Sequence, residues 1–339
     1  MDSDASRGAA RLRMYDHYLA VAYDAARLMN PHRASITLAA TSPPVAIERL
    51  TTDGGALAWF TDEYPVLMRI VHEVALGGFD VHAWQFAWTL RTYWERLGHW
   101  EDAVVAQNAC LKAARRLGDD EAQAKMREGL AHVHWLRGQP EDAAEQLAHA
   151  LRIFERIGDH AGRGRAHRGI ARALALTHRY AEAVHHAERA LKYSRLAAGN
   201  VGEAQALNAI GWYNALLGNY ELALAACRKA LILSEERGDE YTQENAWHSI
   251  GYVHHKLGDY RQAVECLERA LELAQATGSR YDVGLSLLHL GESYAAAGDG
   301  EAARRAWQRA LETFGELDHA EADVVREKLR DPDATSATR

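Results

Sequence analysis

A tight-turn signal recurs every 40 residues along this chain, and that period constrains the fold more than any other feature. Gly98-His99-Trp100, Gly138-Gln139-Pro140, His178-Arg179-Tyr180, Gly218-Asn219-Tyr220, Gly258-Asp259-Tyr260 and Gly298-Asp299-Gly300 follow one another at that spacing. Three residues beyond each signal stands alanine: Ala103, Ala143, Ala183, Ala223, Ala263, Ala303. Further on comes leucine: Leu111, Leu151, Leu191, Leu231, Leu271, Leu311. Alanine precedes it in every copy but the first, where Cys110 stands. A self-similar period of about 20–50 residues identifies stacked supersecondary units.

The residue types describe the unit. Apolar positions recur three and four apart, the helical period, and no stretch alternates as a strand does. Gly followed by Asn or Asp ends a first helix and supplies the positive backbone torsion of a C-cap. The aromatic at Tyr220 or Tyr260 fills the corner between helices. Ala263 and Ala270 share one face of a second helix, and small side chains there let two helices approach closely. Each repeat is thus a helix hairpin that buries its apolar face only by stacking on neighbours.

These signatures resemble the tetratricopeptide repeat, clearest in Ala246-Trp247, Ile250-Gly251, Leu257-Gly258-Asp259-Tyr260, Ala263 and Ala270-Leu271. The small crossing residue is Gly211, Gly251 and Gly291 in later copies, Ala131 and Ala171 earlier, with Arg91 in an atypical first copy. The repeat is longer than the family's usual 34 residues. The resemblance implies an all-α fold: a right-handed superhelical solenoid of about six extended, 40-residue tetratricopeptide hairpins with an N-terminal helical cap. The expected organisation is a helical segment over 1–80 packing on the solenoid, repeats over 81–317, a capping helix over 318–330 and a disordered tail over 331–339. Within the first segment, a helix over 9–29 ends at Asn30-Pro31. A loop with Pro43-Pro44 follows, then a helix pair, Ala56 to Phe60 and Pro65 to Leu76.

The N-terminal portion carries a second resemblance. Tyr15-Asp16-His17-Tyr18-Leu19, Asn30-Pro31-His32-Arg33, Ala56-Leu57-Ala58-Trp59-Phe60, His82-Ala83-Trp84-Gln85-Phe86-Ala87-Trp88 and Arg96-Leu97-Gly98-His99-Trp100 occur in this order. They resemble the C-terminal region of the large AfsR/SARP-type antibiotic regulatory proteins of actinobacteria, which are similar to signal-transduction ATPases with numerous domains. In that family a winged-helix DNA-binding domain, a helical activation domain and a nucleotide-binding NB-ARC domain precede the tetratricopeptide domain. The match spans about residues 11 to 330. It implies a role in transcription regulation and secondary metabolism: sensing a ligand, peptide or partner, and signalling to upstream domains. The alternative is a stand-alone tetratricopeptide scaffold or peptide receptor. The family resemblance also accommodates a homo-oligomer.

Charge and motifs narrow the chemistry. The chain carries 47 acidic and 39 basic residues, net −8, without the basic excess of a nucleic-acid-binding surface. Three cysteines, Cys110, Cys227 and Cys266, read as buried thiols in a reducing compartment, and no apolar run suits a membrane span. The expected location is cytoplasmic. A Walker A loop and a Gly-x-Ser-x-Gly elbow are absent, and no cofactor or metal is called for. Gly162-Arg163-Gly164 reads as a loose tip between repeats. His72-Glu73 lacks its second histidine, since Leu76 stands there. His132/His134, His185-His186 and His254-His255 diverge around their helices and read as polar-face histidines. The expectation is a protein without catalytic activity.

Registering each repeat on its small crossing residue selects the positions that face inward on the first helices. They are Lys125, Glu128, His132 and Trp135; Arg165, Arg168 and Arg172; Gln205, Asn208 and Trp212; and Asn245, His248, Tyr252, His255 and Lys256. Asn208 and Tyr252 occupy places that resemble peptide-contacting positions in the family. The arginine trio on one helix face suits an anionic or acidic-peptide ligand; equally, it could pair with acids of adjacent helices such as Glu128. The aromatic group Trp84, Trp88, Tyr93, Trp94 and Trp100 reads as core between the N-terminal helices and the first repeat.

Overall fold

The computed structural model describes residues 4–31, 33, 35–38, 49–197, 201–317 and 319–330, and every regular element among them is a helix. The Pro43-Pro44 loop and the tail expected at 331–339 lie outside the described residues. Two compact units divide the chain, Met1–Asp159 and His160–Arg339.

Unit one holds α1 (Asp4–Met29), α2 (Asp53–Leu76), α3 (Asp80–Leu97), α4 (Trp100–Leu117), α5 (Asp120–Leu136) and α6 (Pro140–Ile157). First helices stack on first helices, α1 on α3 and α3 on α5, and α2 packs on α4. The pair α1/α2 therefore packs as one more hairpin below the first repeat. Its closing Gly78, with φ +83°, stands one period before Gly118 at φ +66°. Trp84, Trp88, Tyr93 and Trp94 are buried core. Tyr23 stacks on Trp88 at 5.6 Å, and Phe60 meets Tyr93 at 5.4 Å.

The expected helix pair in this region is instead the single helix α2, which runs through Pro65. Proline removes one backbone donor, at a cost of about 3 kcal/mol in a helix interior. Here Pro65 and Thr61, whose carbonyl loses that donor, both lie on the exposed face. Phe60, Leu67, Ile70, Val71 and Val74 are buried on either side of it. At about 1.5–3 kcal/mol per buried apolar side chain, that stripe outweighs one missing bond.

Unit two holds α7 (His160–Leu176), α8 (Tyr180–Leu196), α9 (Val201–Leu216), α10 (Tyr220–Glu235), α11 (Glu240–Lys256), α12 (Tyr260–Thr277), α13 (Arg280–Ala296), α14 (Gly300–Glu316) and α15 (Glu321–Arg330). Each helix packs on the next, and α7, α9, α11 and α13 also pack on one another in turn. Helix α15 falls one period after α13, so it takes the place of a further first helix. Gly162-Arg163-Gly164 is not a tip; it lies within the first turns of α7, and both glycines are buried. A Cβ at Gly164 would meet Ser194 Oγ at 3.0 Å, so helix proximity, not a loop, requires the small residue.

The periodic alanines are buried in both units: Ala103, Ala143, Ala183, Ala223, Ala263 and Ala303 are at most 1% exposed. Turn geometry is equally strict. Where His178 replaces the usual glycine it still adopts φ +58°. Cys110 and Cys227 are fully buried and Cys266 half-buried, all as free thiols. Burial pushes the Cys110 and Cys227 thiols up to about 12, far from a reactive thiolate. Among the described residues no helix is long and apolar enough to cross a membrane.

At Gly291 an added Cβ would lie 2.3 Å from Trp307 Nε1, and that indole is fully buried, donating to the Leu288 carbonyl. Gly291→Ala is expected to destabilise unit two by about 1–3 kcal/mol despite alanine's better helix propensity, as overpacked cores do. Urea unfolding followed by tryptophan fluorescence reads the change.

Candidate ligand-binding face of the first helices

Positions two, five and nine of each first helix, counted to the crossing residue at eight, project to one side because three- and four-residue steps return to the same helix face. On α5, in unit one, Lys125, Glu128, His132 and Trp135 are all half-buried. Lys125 pairs with Glu121 at 3.3 Å, and His132 Nε2 lies 3.1 Å from Glu95 Oε2 on α3. The His132 ring tilts toward Trp135 at 5.8 Å.

The remaining predicted residues belong to unit two. Arg165, Arg168 and Arg172 form one half-buried stripe on α7. Burial pushes the Tyr213 phenol on α9 up to about 12, and the charges of Arg172 and Arg168 partly offset it. On α13, burial and the nearby acids Glu321 and Asp282 raise Tyr281, and Arg172 again opposes them. Arg168 and Arg172 thus lie near enough to α9, and Arg172 to α13, for their charges to bear on these phenols.

Helices α9, α11 and α13 assemble an aromatic and imidazole cluster. Trp212 lies 4.9 Å from Tyr252 and 5.5 Å from His248 between ring centroids. His248 Nε2 and His289 Nδ1 are 2.8 Å apart, and the His289 ring is 5.4 Å from Tyr252. Lys256, exposed at the rim, sits 5.3 Å over the Tyr252 ring. His255 Nδ1 is 3.1 Å from Ser293 Oγ, a second link from α11 to α13. Asn208 is half-buried beside Trp212's turn, and its Oδ1 is buried without a hydrogen-bond partner among the described residues. Gln205 is half-buried one turn earlier on α9. Asn245 does not join the cluster; its amide donates to Tyr241 O and Glu244 Oε2 on its own helix.

Three participants escape the sequence register as applied. His289 pairs with His248, and Glu292 holds Lys328 of α15 at 2.7 Å with both side chains largely buried. Glu292 was within reach of the same argument, since it follows Gly291 as Trp212 follows Gly211 and Tyr252 follows Gly251. Of the histidines assigned to polar faces, His254 is instead buried, as are His167 and the inward-facing His248. Glu244 is a buried carboxyl in a column otherwise occupied by Ala124, Gly164, Ala204 and Gly284; burial and the nearby Asp282 charge raise its pKa.

The His248–His289 contact contributes to the pH response of this face, beside His255, which burial also depresses. Burial holds both imidazoles below the ordinary histidine range; His289 further depresses His248, while Glu292 partly offsets the shift of His289. The pair is neutral at pH 7, one ring donating an N–H to the other's lone pair. An unfolded chain takes up protons below about pH 6.5 that the folded pair refuses, so this contribution to stability is complete above that pH and is lost as pH falls. Between pH 7.5 and 5.5, denaturant titrations are expected to show falling stability, and His248→Gln is expected to reduce the fall. An equal fall in the variant would remove the pair as its source.

A family model described as tetratricopeptide repeat matches residues 123–195, 202–276 and 242–316. No protein of curated function matches the chain. Among solved structures, a Rap protein complexed with Competence and Sporulation Factor is similar at 18% identity and a TM-score of 0.58, over 84% of this chain and 85% of that one. NprR in complex with its cognate peptide NprX is similar at 12% identity and a TM-score of 0.57, over 81% and 88%. A signal-transduction ATPase with numerous domains and a tetratricopeptide repeat sensor, from Pyrococcus horikoshii, is similar at 18% identity and a TM-score of 0.54. That match covers 83% of this chain and 42% of the other. At such identities the likeness is one of fold.

Proposed function

The chain belongs to the tetratricopeptide-repeat family, and on that basis we propose that it is a non-catalytic receptor domain whose first-helix face captures a peptide, a small ligand or a partner segment. The observation that carries this reading is the cluster of half-buried Trp212, Tyr252 and His289 with buried His248, beside the Asn208 oxygen that has no hydrogen-bond partner among the described residues. An amide of this kind can accept a backbone N–H and donate to a carbonyl, and the neighbouring rings supply rigid contact area. The arginine stripe favours a ligand with an acidic group. NprR, of similar fold, holds a peptide, and the Pyrococcus protein carries its repeats as a sensor.

The wider role we infer is regulatory. The ordered N-terminal segments that resemble AfsR/SARP-type activators support a sensor that controls DNA-binding and nucleotide-binding domains of such a regulator. The side chains agree with binding rather than turnover: the cluster's two imidazoles, His248 and His289, engage each other as one neutral pair, and two of the three thiols are sealed in the core. The same reading carries a cytoplasmic location.

Random-heptapeptide display against the full chain at neutral pH tests the face. Selected peptides are expected to carry acidic and aromatic residues, and Arg168→Ala and Asn208→Ala each to weaken binding about tenfold, the effect of losing one charged or buried hydrogen bond. Unchanged affinity in both variants rejects the face. The isolated chain is expected to bind neither ATP nor promoter DNA, and tight sequence-dependent DNA binding would sink the regulatory assignment.

A further inference from the structure

On unit one, basic side chains converge where acid is scarce. Arg127 on α5 is only 8% exposed. Its Nη1 donates to the neutral Gln146 Oε1 on α6 at 2.7 Å, and its Nε is buried without an acceptor among the described residues. Burial and the charges of Arg115 on α4 and Arg152 on α6 lower this guanidinium's pKa, with only Glu145 opposing them. Other arginines that bridge helices in this unit meet carboxylates: Arg116 meets Asp80 and Arg156 meets Asp120. Arg127 has a neutral amide instead.

His149 completes the group. Arg152 Nη2 lies 2.7 Å from His149 Nδ1, and a guanidinium can only donate, so Nδ1 is the acceptor and the imidazole is neutral with its proton on Nε2. Glu145 is 3.8 Å from that nitrogen. Burial first, then the charges of Arg127 and Arg152, hold His149 below the ordinary histidine range. Arg115 and Arg152 are exposed, His149 is half-buried one turn along α6 from Gln146, and Arg127 is buried against that glutamine. The arrangement is a floor and a rim, about 100° around α5 from the Glu128 position.

We propose that Arg115, Arg127, Arg152 and His149 form a binding site for a small dianionic oxyanion, orthophosphate or a phosphomonoester. Guanidinium groups present paired donors that match tetrahedral oxyanions, and two arginines free to move at the rim can close over an anion above a fixed third. A dianion offsets the mutual repulsion of the three cations better than a monoanion does. It also favours protonation of His149, which frees Nδ1 from Arg152 and turns it into a fourth donor. The site is separate from the first-helix face and stands whether or not that face binds a peptide.

The test uses the full chain with inorganic phosphate, glycerol phosphate and, at matched ionic strength, chloride. Phosphate or its ester is expected to raise the melting temperature and to move the His149 titration, followed by NMR, to higher pH, whereas chloride does neither. Tighter binding of one oxyanion supports the site and identifies the source of its phosphate. Arg115→Ala and Arg152→Ala, at exposed positions that leave the core intact, are expected to weaken phosphate binding about tenfold each. Equal effects of phosphate and chloride, or unchanged phosphate affinity in both variants, overturn the proposal.

Discussion

Close approach of paired helices at small residues is the constraint on which the remaining structure rests. In three hairpins of unit two the distance between helices is set where glycine meets the partner: Gly211 against Cys227, Gly251 against Leu267, Gly291 against Trp307. None of these sites has room for a Cβ without a shift. With that spacing repeated from hairpin to hairpin, the 40-residue period becomes a spatial period along unit two. Residues one period apart then fall into columns on neighbouring helices, which is how Trp212 and Tyr252 come to lie 4.9 Å apart.

The same columns organise ion pairs. Asp80–Arg116 and Asp120–Arg156 tie the start of a first helix to the end of its second helix, one period apart. The hairpin of α13 and α14 repeats the link with its polarity reversed, as Arg280–Glu316. Exposed pairs of this type contribute about 0–1 kcal/mol each, so their effect is on register more than on stability. They do, however, consume carboxylates. A net charge of −8 excludes a uniformly basic surface, yet with these acids engaged at the hairpin ends Arg127 donates to the neutral amide of Gln146.

Features written in local spacing were legible in the sequence: the turns, the alanine columns, the helical period and the face of α9 and α11. Features that depend on a partner helix were not. The His167–His186 and His248–His289 contacts join residues 19 and 41 positions apart, separations that single-helix arithmetic does not inspect. Single-helix spacing reads His186 as a polar-face residue and His248 as an inward-facing one; neither reading carries the burial that holds both imidazoles below the ordinary range. Pro65 reads as a break because the exposed position of the lost hydrogen bond is tertiary information. Gly162-Arg163-Gly164 reads as a tip because the need for a small residue comes from Ser194, thirty residues after Gly164.

The imidazole pair also links recognition to protons. On the reading proposed above, a ligand seated on Trp212 and Tyr252 would touch rings that contact His248 and His289, and would displace water from around groups already resistant to charging. Deeper burial lowers their proton affinity further. An acidic ligand group placed near them acts in the opposite sense, and the balance depends on which part of the ligand faces α13. Because linkage is reciprocal, whichever effect dominates also makes ligand affinity depend on pH with the corresponding sign. Glu292 and Lys328 stand next to this balance: Glu292 offsets the depression of His289, and the Lys328 charge reinforces it. Helix α15 thereby reaches the first-helix face through one side chain, although its own packing is against α14.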